Sequence, residues 1–304
     1  MGDIKLFKVS GSTATEIPGS STPLEKALQQ LIEGNLKSCL GIQFLASEYS
    51  TGPKHSGRID SLGLDENGCP VIIEYKRTTN DNVINQGLFY LDWLMDHQGT
   101  FQLLVAQKLG DNAANDIDWS GPRLICIAGG FTKYDEHAVQ QINRNIELIE
   151  LIRYRYFNDD LLLLELVNAT TASQISSANS SNQPNQYKTI SETLAEIDGP
   201  IADLYDEIRT HLLSIGDDVQ EKTLKYYTAF KRIKNFACLE IRPAKGSIIA
   251  YVKINPESLS IEEGFTRDMR GKGHYGTGEL EIVIKDKSDF ERAKPLFQQS
   301  YDVC

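Results

Sequence analysis

Asp60, Glu74 and Lys76 lie within one short stretch of this 304-residue chain, Gly57–Arg77, which reads GRIDSLGLDENGCPVIIEYKR. The turn sequence Asp-Glu-Asn-Gly separates two strand-like runs and so predicts a β-hairpin. With the loop at Glu66–Gly68, Asp60 lies opposite Glu74, and Lys76 projects from the same face of the sheet. A two-residue loop would instead shift the pairing by one residue.

This set of side chains has the chemistry needed for metal-assisted phosphodiester hydrolysis. Two neighbouring carboxylates repel each other, and a hard divalent cation such as Mg²⁺ or Mn²⁺ relieves the repulsion by binding oxygens of both. Such a cation lowers the pKa of a bound water and stabilises charge that develops on a phosphate. Lys76 would orient that water or neutralise the phosphoryl oxygens.

The surrounding elements predict an α/β domain, with a mixed sheet flanked by helices, that positions these residues. Apolar positions at helical spacing predict helices over 23–36, 82–96 and 135–144. Apolar runs predict strands over 4–9, 42–46, 58–64, 71–76, 102–106, 123–128 and 146–156.

The motif pattern resembles the PD-(D/E)xK, or restriction-endonuclease-like, nuclease superfamily over about residues 23–110. Ile59-Asp60 matches the first motif, with Ile in place of the Pro of the name, and Glu74-Tyr75-Lys76 matches the second. The resemblance implies a metal held by Asp60, Glu74 and the backbone carbonyl of Tyr75. It implies that Lys76 positions or activates the attacking water and that the substrate is DNA.

The two flanking helices carry further residues of this resemblance. The family often places a catalytic Glu on the preceding helix, and Glu33 is the first choice here, with Glu25 as the second. On the following helix, Gln86 and Tyr90 fit the QxxxY motif of the RecB-like branch, and the whole pattern looks most like NucS-type endonucleases. At i, i+4 the two share a helix face and would contact the substrate or support the site. Arg58, close to Asp60, is a further candidate for substrate contact.

A second domain is predicted after a linker at 168–187, which is rich in Ser, Asn, Gln and Thr. The first domain is then 1–167, and residues 188–304 resemble the DUF5655 type of small α+β accessory domain. Within 222–253 there are eight basic residues and one acid. Basic and aromatic residues alternate there, and Lys231 and Arg232 are candidates for binding nucleic acid, unless this is an amphipathic helix with its aromatics in the core.

Composition excludes several classes of protein. The formal net charge of −11 disfavours nucleic-acid binding except through a local basic patch or a metal. The five cysteines are scattered singly, which argues against a zinc site or a disulfide framework. The N-terminus lacks the pattern of a signal peptide and no apolar run is long enough to span a bilayer, so we expect a cytoplasmic protein without a membrane partner.

The sequence leaves other functions open. The chain could be a non-catalytic nucleic-acid-binding or regulatory module on the same fold, in which the basic segment 222–253 dominates affinity. A structural or transport-associated protein, binding neither DNA nor metal, is a third reading. The form of the DNA substrate, the use of RNA, homodimer formation and a ligand or protein partner of the second domain also stay open.

Overall fold

The computed structural model describes residues 4–20, 25–52, 57–76, 83–142, 148–158, 160–169 and 189–304. The chain divides into two compact units. Unit 1 is Met1–Asp65 with Cys69–Thr170, and unit 2 is Glu66–Gly68 with Thr171–Cys304. Nearly all of the predicted linker at 168–187 lies outside the described residues.

Unit 1 contains nine strands and six helices within the described ranges. The strands are β1 (Leu6–Ser10), β2 (Thr13–Ile17), β3 (Gly19–Ser20), β4 (Gln43–Ser50), β5 (Arg58–Leu64), β6 (Pro70–Lys76), β7 (Arg123–Ala128), β8 (Leu148–Phe157) and β9 (Leu161–Ala169). The helices are α1 (Glu25–Gly34), α2 (Leu36–Leu40), α3 (Val83–Asp96), α4 (Gln98–Leu109), α5 (Asp111–Asn115) and α6 (Lys133–Gln141).

The main sheet of unit 1 is mixed, which confirms the predicted architecture. Its strand order is β3-β8-β7-β6-β5-β4, with β9 paired to β8. The β6–β7 and β7–β8 pairs are parallel, and the other pairs in this sheet are antiparallel. Because β7 lies between two parallel neighbours, every residue of Arg123–Ala128 is buried, as expected for the centre of an α/β sheet.

One predicted strand of unit 1 is wrong. Residues 102–106 lie within helix α4 instead. In that helix Phe101 and Val105 are the buried side chains, and their i, i+4 spacing is that of a helix face rather than of a strand. The short apolar run was therefore assigned the wrong period.

Unit 2 is an α+β domain, as predicted. Its described helices are α7 (Ile190–Glu196), α8 (Gly199–Ser214) and α9 (Lys287–Asp302). Its strands are β10 (Gln220–Thr223), β11 (Thr228–Lys231), β12 (Asn235–Arg242), β13 (Ser247–Val252), β14 (Thr266–Asp268) and β15 (Leu280–Ile284). They form one antiparallel sheet in the order β10-β11-β12-β13-β15-β14. Within the ranges listed above, no helix has both the length and the apolar character required to cross a bilayer.

Candidate active site

The hairpin of β5 and β6 has the predicted register. Ser61 pairs with Ile73, and the antiparallel ladder continues to Leu64 opposite Pro70. This confirms the three-residue loop and places Asp60 level with Glu74. Side chains alternate along each strand, so both acids project from one face of the sheet, together with Lys76.

At the end of this ladder, the two carboxylates bond to the backbone of the facing strand. The Asp60 N–H donates to Glu74 Oε1 at 3.2 Å. The Tyr75 N–H in turn donates to Asp60 Oδ2 at 2.9 Å. These reciprocal bonds hold both carboxylates in fixed positions before any ligand arrives.

Glu74 is a buried acid with an unsatisfied oxygen. Its side chain is 0% exposed, and its Oε2 is buried without a hydrogen-bond partner among the described residues. Burial, with a further contribution from the charge of Asp60, raises the pKa of Glu74 to about 9. Burial also raises the pKa of Asp60, opposed by the N–H of Tyr75 that bonds its carboxylate.

Lys76 stands beside this pair as a partly buried cation. Its side chain is 18% exposed, and its Nζ lies 3.5 Å from Glu25 Oε1. Burial works to lower the pKa of Lys76, but the charges of Glu25, Asp60 and Glu74 outweigh it and raise that pKa. Lys76 is therefore a permanent positive charge and hydrogen-bond donor near neutral pH.

The QxxxY pair on α3, Gln86 and Tyr90, supports the start of strand β5. The Tyr90 hydroxyl accepts hydrogen bonds from the Arg58 N–H at 3.1 Å and from Gln86 Nε2 at 3.3 Å. A Cβ atom on Gly57 would lie 2.5 Å from the Tyr90 ring, so glycine allows the strand to approach this closely. Tyr90 thus contacts the backbone two residues before Asp60, and Gln86 reaches it only through the Tyr90 hydroxyl. The Arg58 side chain is 69% exposed and accessible to a ligand.

Glu33, the first-choice helix acid, is directed elsewhere. Its Oε1 accepts from Ser61 Oγ at 2.7 Å and from Gln29 Nε2 at 3.0 Å. Because side chains alternate along β5, Ser61 lies on the opposite face of the strand from Asp60. The acid of α1 that the structure brings to Lys76 is Glu25, which was the second choice.

Gln29 is a site residue that the motif pattern does not indicate. It is 3% exposed, and its Nε2 donates to the backbone carbonyl of Asp60 at 2.9 Å. It lies between Leu28 and Ile32 on the buried face of α1. An amide on an apolar helix face is the sequence signal that could have identified it.

The donor set suits a hard cation. The described residues contain no group of three or more His, Cys, Asp or Glu side chains that could hold a metal ion. Mg²⁺, however, commonly takes only one or two protein carboxylates, with waters and substrate phosphates completing its coordination. Asp60 and the unpartnered Oε2 of Glu74 fit this requirement, since a cation would satisfy the buried oxygen.

Lys231 and Arg232 of unit 2, the two residues predicted to bind nucleic acid, are not free cations on the surface. Lys231 lies in strand β11 and is 1% exposed, which corrects the prediction that it contacts nucleic acid from the surface. Arg232 donates from Nε to Asp218 Oδ2 at 2.6 Å, and its guanidinium lies 4.5 Å from the centre of the Tyr301 ring. The basic segment 222–253 thus runs through parts of strands β10 to β13 and the turns between them, and is not an amphipathic helix.

In comparisons with known proteins, a family model matches most of unit 2. Residues 190–303 match the family described as "Domain of unknown function (DUF5655)", as predicted. Over its full length the chain is similar to a Haemophilus influenzae (strain ATCC 51907 / DSM 11121 / KW20 / Rd) protein described as "Uncharacterized protein". The two are 27% identical over 307 residues, which cover 98% of this chain and 99% of that protein.

Two solved structures are similar over part of the chain. One is the crystal structure of a repair endonuclease from Pyrococcus abyssi, at 20% identity and a TM-score of 0.29, covering 44% of this chain and 48% of that one. The other is a complex of EndoMS with double-stranded DNA, at 19% identity and a TM-score of 0.25, covering 44% and 46%. The match therefore spans about half the length of each solved chain.

Proposed function

We propose that unit 1 is a metal-dependent endonuclease that hydrolyses phosphodiester bonds of DNA, of the RecB-like branch of the PD-(D/E)xK nucleases. One observation carries the proposal: Glu74 has a buried, unpartnered oxygen next to Asp60, with the cation Lys76 on the same face. A protein that used this hairpin only for stability would gain nothing from burying an acid whose pKa is raised to about 9. Strongly perturbed carboxylates of this kind cluster at functional sites.

Asp60, Glu74 and the carbonyl of Tyr75 would hold Mg²⁺ or Mn²⁺. When bound, such a cation lowers the pKa of a water molecule and stabilises negative charge on phosphate oxygens. The reciprocal bonds between the carboxylates and the Asp60 and Tyr75 N–H groups keep the acids close together against their repulsion.

Lys76 has a separate task in this proposal. Because the surrounding carboxylates raise its pKa, it remains protonated and cannot serve as a general base near neutral pH. It would donate hydrogen bonds from Nζ to the attacking water or to a phosphoryl oxygen. Tyr90 binds the backbone N–H of Arg58, Gln86 donates to the Tyr90 hydroxyl, and the exposed Arg58 side chain would meet the substrate.

The role of unit 2 stays a broader proposal, that it assists recognition of substrate or partner. We assign no residue to that role, because Lys231 is buried and Arg232 is paired with Asp218. The alternative, in which the basic segment 222–253 dominates nucleic-acid affinity, would then have to rest on its other basic residues, such as the exposed Lys225 and Lys245.

The test is cleavage of labelled single-stranded, duplex and branched DNA with Mg²⁺, Mn²⁺ or EDTA. We expect metal-dependent cutting by the parent and losses of at least about 100-fold for Asp60→Asn and Lys76→Met. Lys108→Met, which removes an exposed lysine of α4, is the control and should cut like the parent. Cutting by Lys76→Met at the parental rate, with metal present, would show that the site is wrongly assigned.

A further inference from the structure

The carboxylate of Glu48 binds two cations from different elements at the edge of this site. Lys26 of α1 places its Nζ 2.8 Å from Glu48 Oε1. Arg58 of β5 places its Nη1 3.9 Å from Glu48 Oε2. The side chains are 53% exposed for Lys26, 69% for Arg58 and 37% for Glu48, so both cations are open to solvent.

Glu48 has an unusual backbone conformation at the point where β4 passes Asp60. Its φ is +51°, in the left-handed region that residues other than glycine seldom adopt. The ladder between β4 and β5 pairs Ser47 with Ser61 and Tyr49 with Ile59, which places Glu48 level with Asp60. A non-glycine residue in this conformation costs roughly 1 kcal/mol or more, a strain that is often retained at functional sites.

Lys26 is also connected to the proposed catalytic centre through a buried amide. Its Nζ donates to Gln29 Oε1 at 3.3 Å, and Gln29 Nε2 donates to the carbonyl of Asp60 at 2.9 Å. Gln29 is 3% exposed, so the amide that links Lys26 to Asp60 is itself buried. An anion bound by Lys26 would therefore be separated from the backbone of Asp60 by one side chain, that of Gln29.

We propose that Lys26 and Arg58 form a binding site for a backbone phosphate of the nucleic-acid strand, and that Glu48 occupies this site in the free protein. The inference rests on the proposed function for the identity of the strand as substrate. A carboxylate and a phosphate both offer two oxygens to a pair of cations, so one can replace the other. The phosphate displaces Glu48, and the two cations keep an anionic partner throughout.

The experiment measures the dissociation constant of a labelled oligodeoxynucleotide, single-stranded and duplex, in EDTA as a function of salt. Glu48→Gln should bind about 2- to 5-fold more tightly, since an exposed ion pair worth up to about 1 kcal/mol no longer has to be broken. Lys26→Met should bind more weakly, with a salt dependence lower by about 0.9 in log–log slope. In Lys26→Met/Glu48→Gln the gain from the Glu48 change should be largely lost.

Lys37→Met is the matched control, because Lys37 is an exposed lysine on the neighbouring helix α2. It should leave the dissociation constant within the scatter of the parent. Equal effects of Lys26→Met and Lys37→Met would overturn the proposal, as would a Glu48→Gln variant that binds no more tightly than the parent. Failure of the parent to bind either oligonucleotide would overturn it too.

A competition measurement distinguishes binding of a strand phosphate from binding of a free anion. Inorganic phosphate at constant ionic strength should not compete at concentrations where the oligonucleotide is half bound, and effective competition would overturn the assignment to a strand phosphate. Binding in EDTA requires no cleavage. If the variants shift binding as expected while the parent fails to cut DNA with Mn²⁺, the proposed hydrolysis fails and the phosphate site stands.

Discussion

Replacing Glu74 by glutamine should stabilise the metal-free protein relative to the parent, and this gain should grow as the pH rises. Burial raises the pKa of Glu74 from 4.5 to about 9 in the folded protein. Below pH 4.5 the acid is protonated in both the folded and the unfolded state and the group has no effect. Above it, the unfolded chain loses the proton while the folded one keeps it, so the free energy of unfolding falls until the pH passes the folded pKa.

The size of the effect follows from the shift. Each pH unit between the two pKa values costs the parent up to about 1.4 kcal/mol. Between about pH 5 and about pH 7, the stability of Glu74→Gln relative to the parent should therefore rise by about 2–3 kcal/mol. Glutamine keeps an oxygen that can accept the Asp60 N–H but does not titrate, so any constant packing difference leaves this slope unchanged.

The assay is urea unfolding in EDTA, followed by tryptophan fluorescence. The chain has two tryptophans, Trp93 and Trp119, and both belong to unit 1, so the signal reports the unit that contains Glu74. Asp116→Asn, which removes an exposed carboxylate of the same unit, is the control and should show no such slope. A stability difference between Glu74→Gln and the parent that stays constant with pH would refute the inference that folded Glu74 retains its proton.

Three further outcomes are expected. Mn²⁺ at about 100 times its dissociation constant should stabilise the parent by about 2.7 kcal/mol in the same assay at pH 7; a similar gain in Glu74→Gln would contradict this metal site. Tyr90→Phe should cost about 1 kcal/mol, because the Arg58 N–H loses its acceptor; unchanged stability in urea would argue that water replaces the hydroxyl. Arg123→Met should cost about 3–5 kcal/mol, since two carboxylates bonded to Arg123 would remain buried without their cation; a loss under about 1 kcal/mol would show that the site admits water.

The hairpin could be predicted because its geometry is local. The length of the turn fixes the register, and the register fixes which side chains share a face. Asp60, Glu74 and Lys76 were therefore placed together from sequence alone. The reciprocal bonds to the Asp60 and Tyr75 N–H groups could not be predicted, because they depend on where the ladder ends, between Ser61 and Asp60.

Burial by distant elements explains the errors. The composition of a segment does not say what covers it, so Lys231 was assigned to the surface although β11 lies between β10 and β12. The basic and aromatic residues around it also occur in buried strands. The short apolar run at 102–106 fits the period of a strand or of a helix. Which of the two forms depends on what packs against each side of the segment, and the sequence does not show that.

The choice between Glu25 and Glu33 shows where sequence patterns lose their power. The two acids are eight positions apart on one helix, which separates them by about 12 Å along its axis. Their rotation around the axis differs by less than a quarter turn, so amphipathic patterning places both toward the hairpin. What distinguishes the two acids is the position of the helix along the sheet. The packing of Leu28 and Ile32 in the core sets that position. The acid near Lys76 is thus decided by tertiary contacts, which is why Glu25→Gln, rather than Glu33→Gln, should lower the pKa of Lys76 more when that lysine is titrated by NMR.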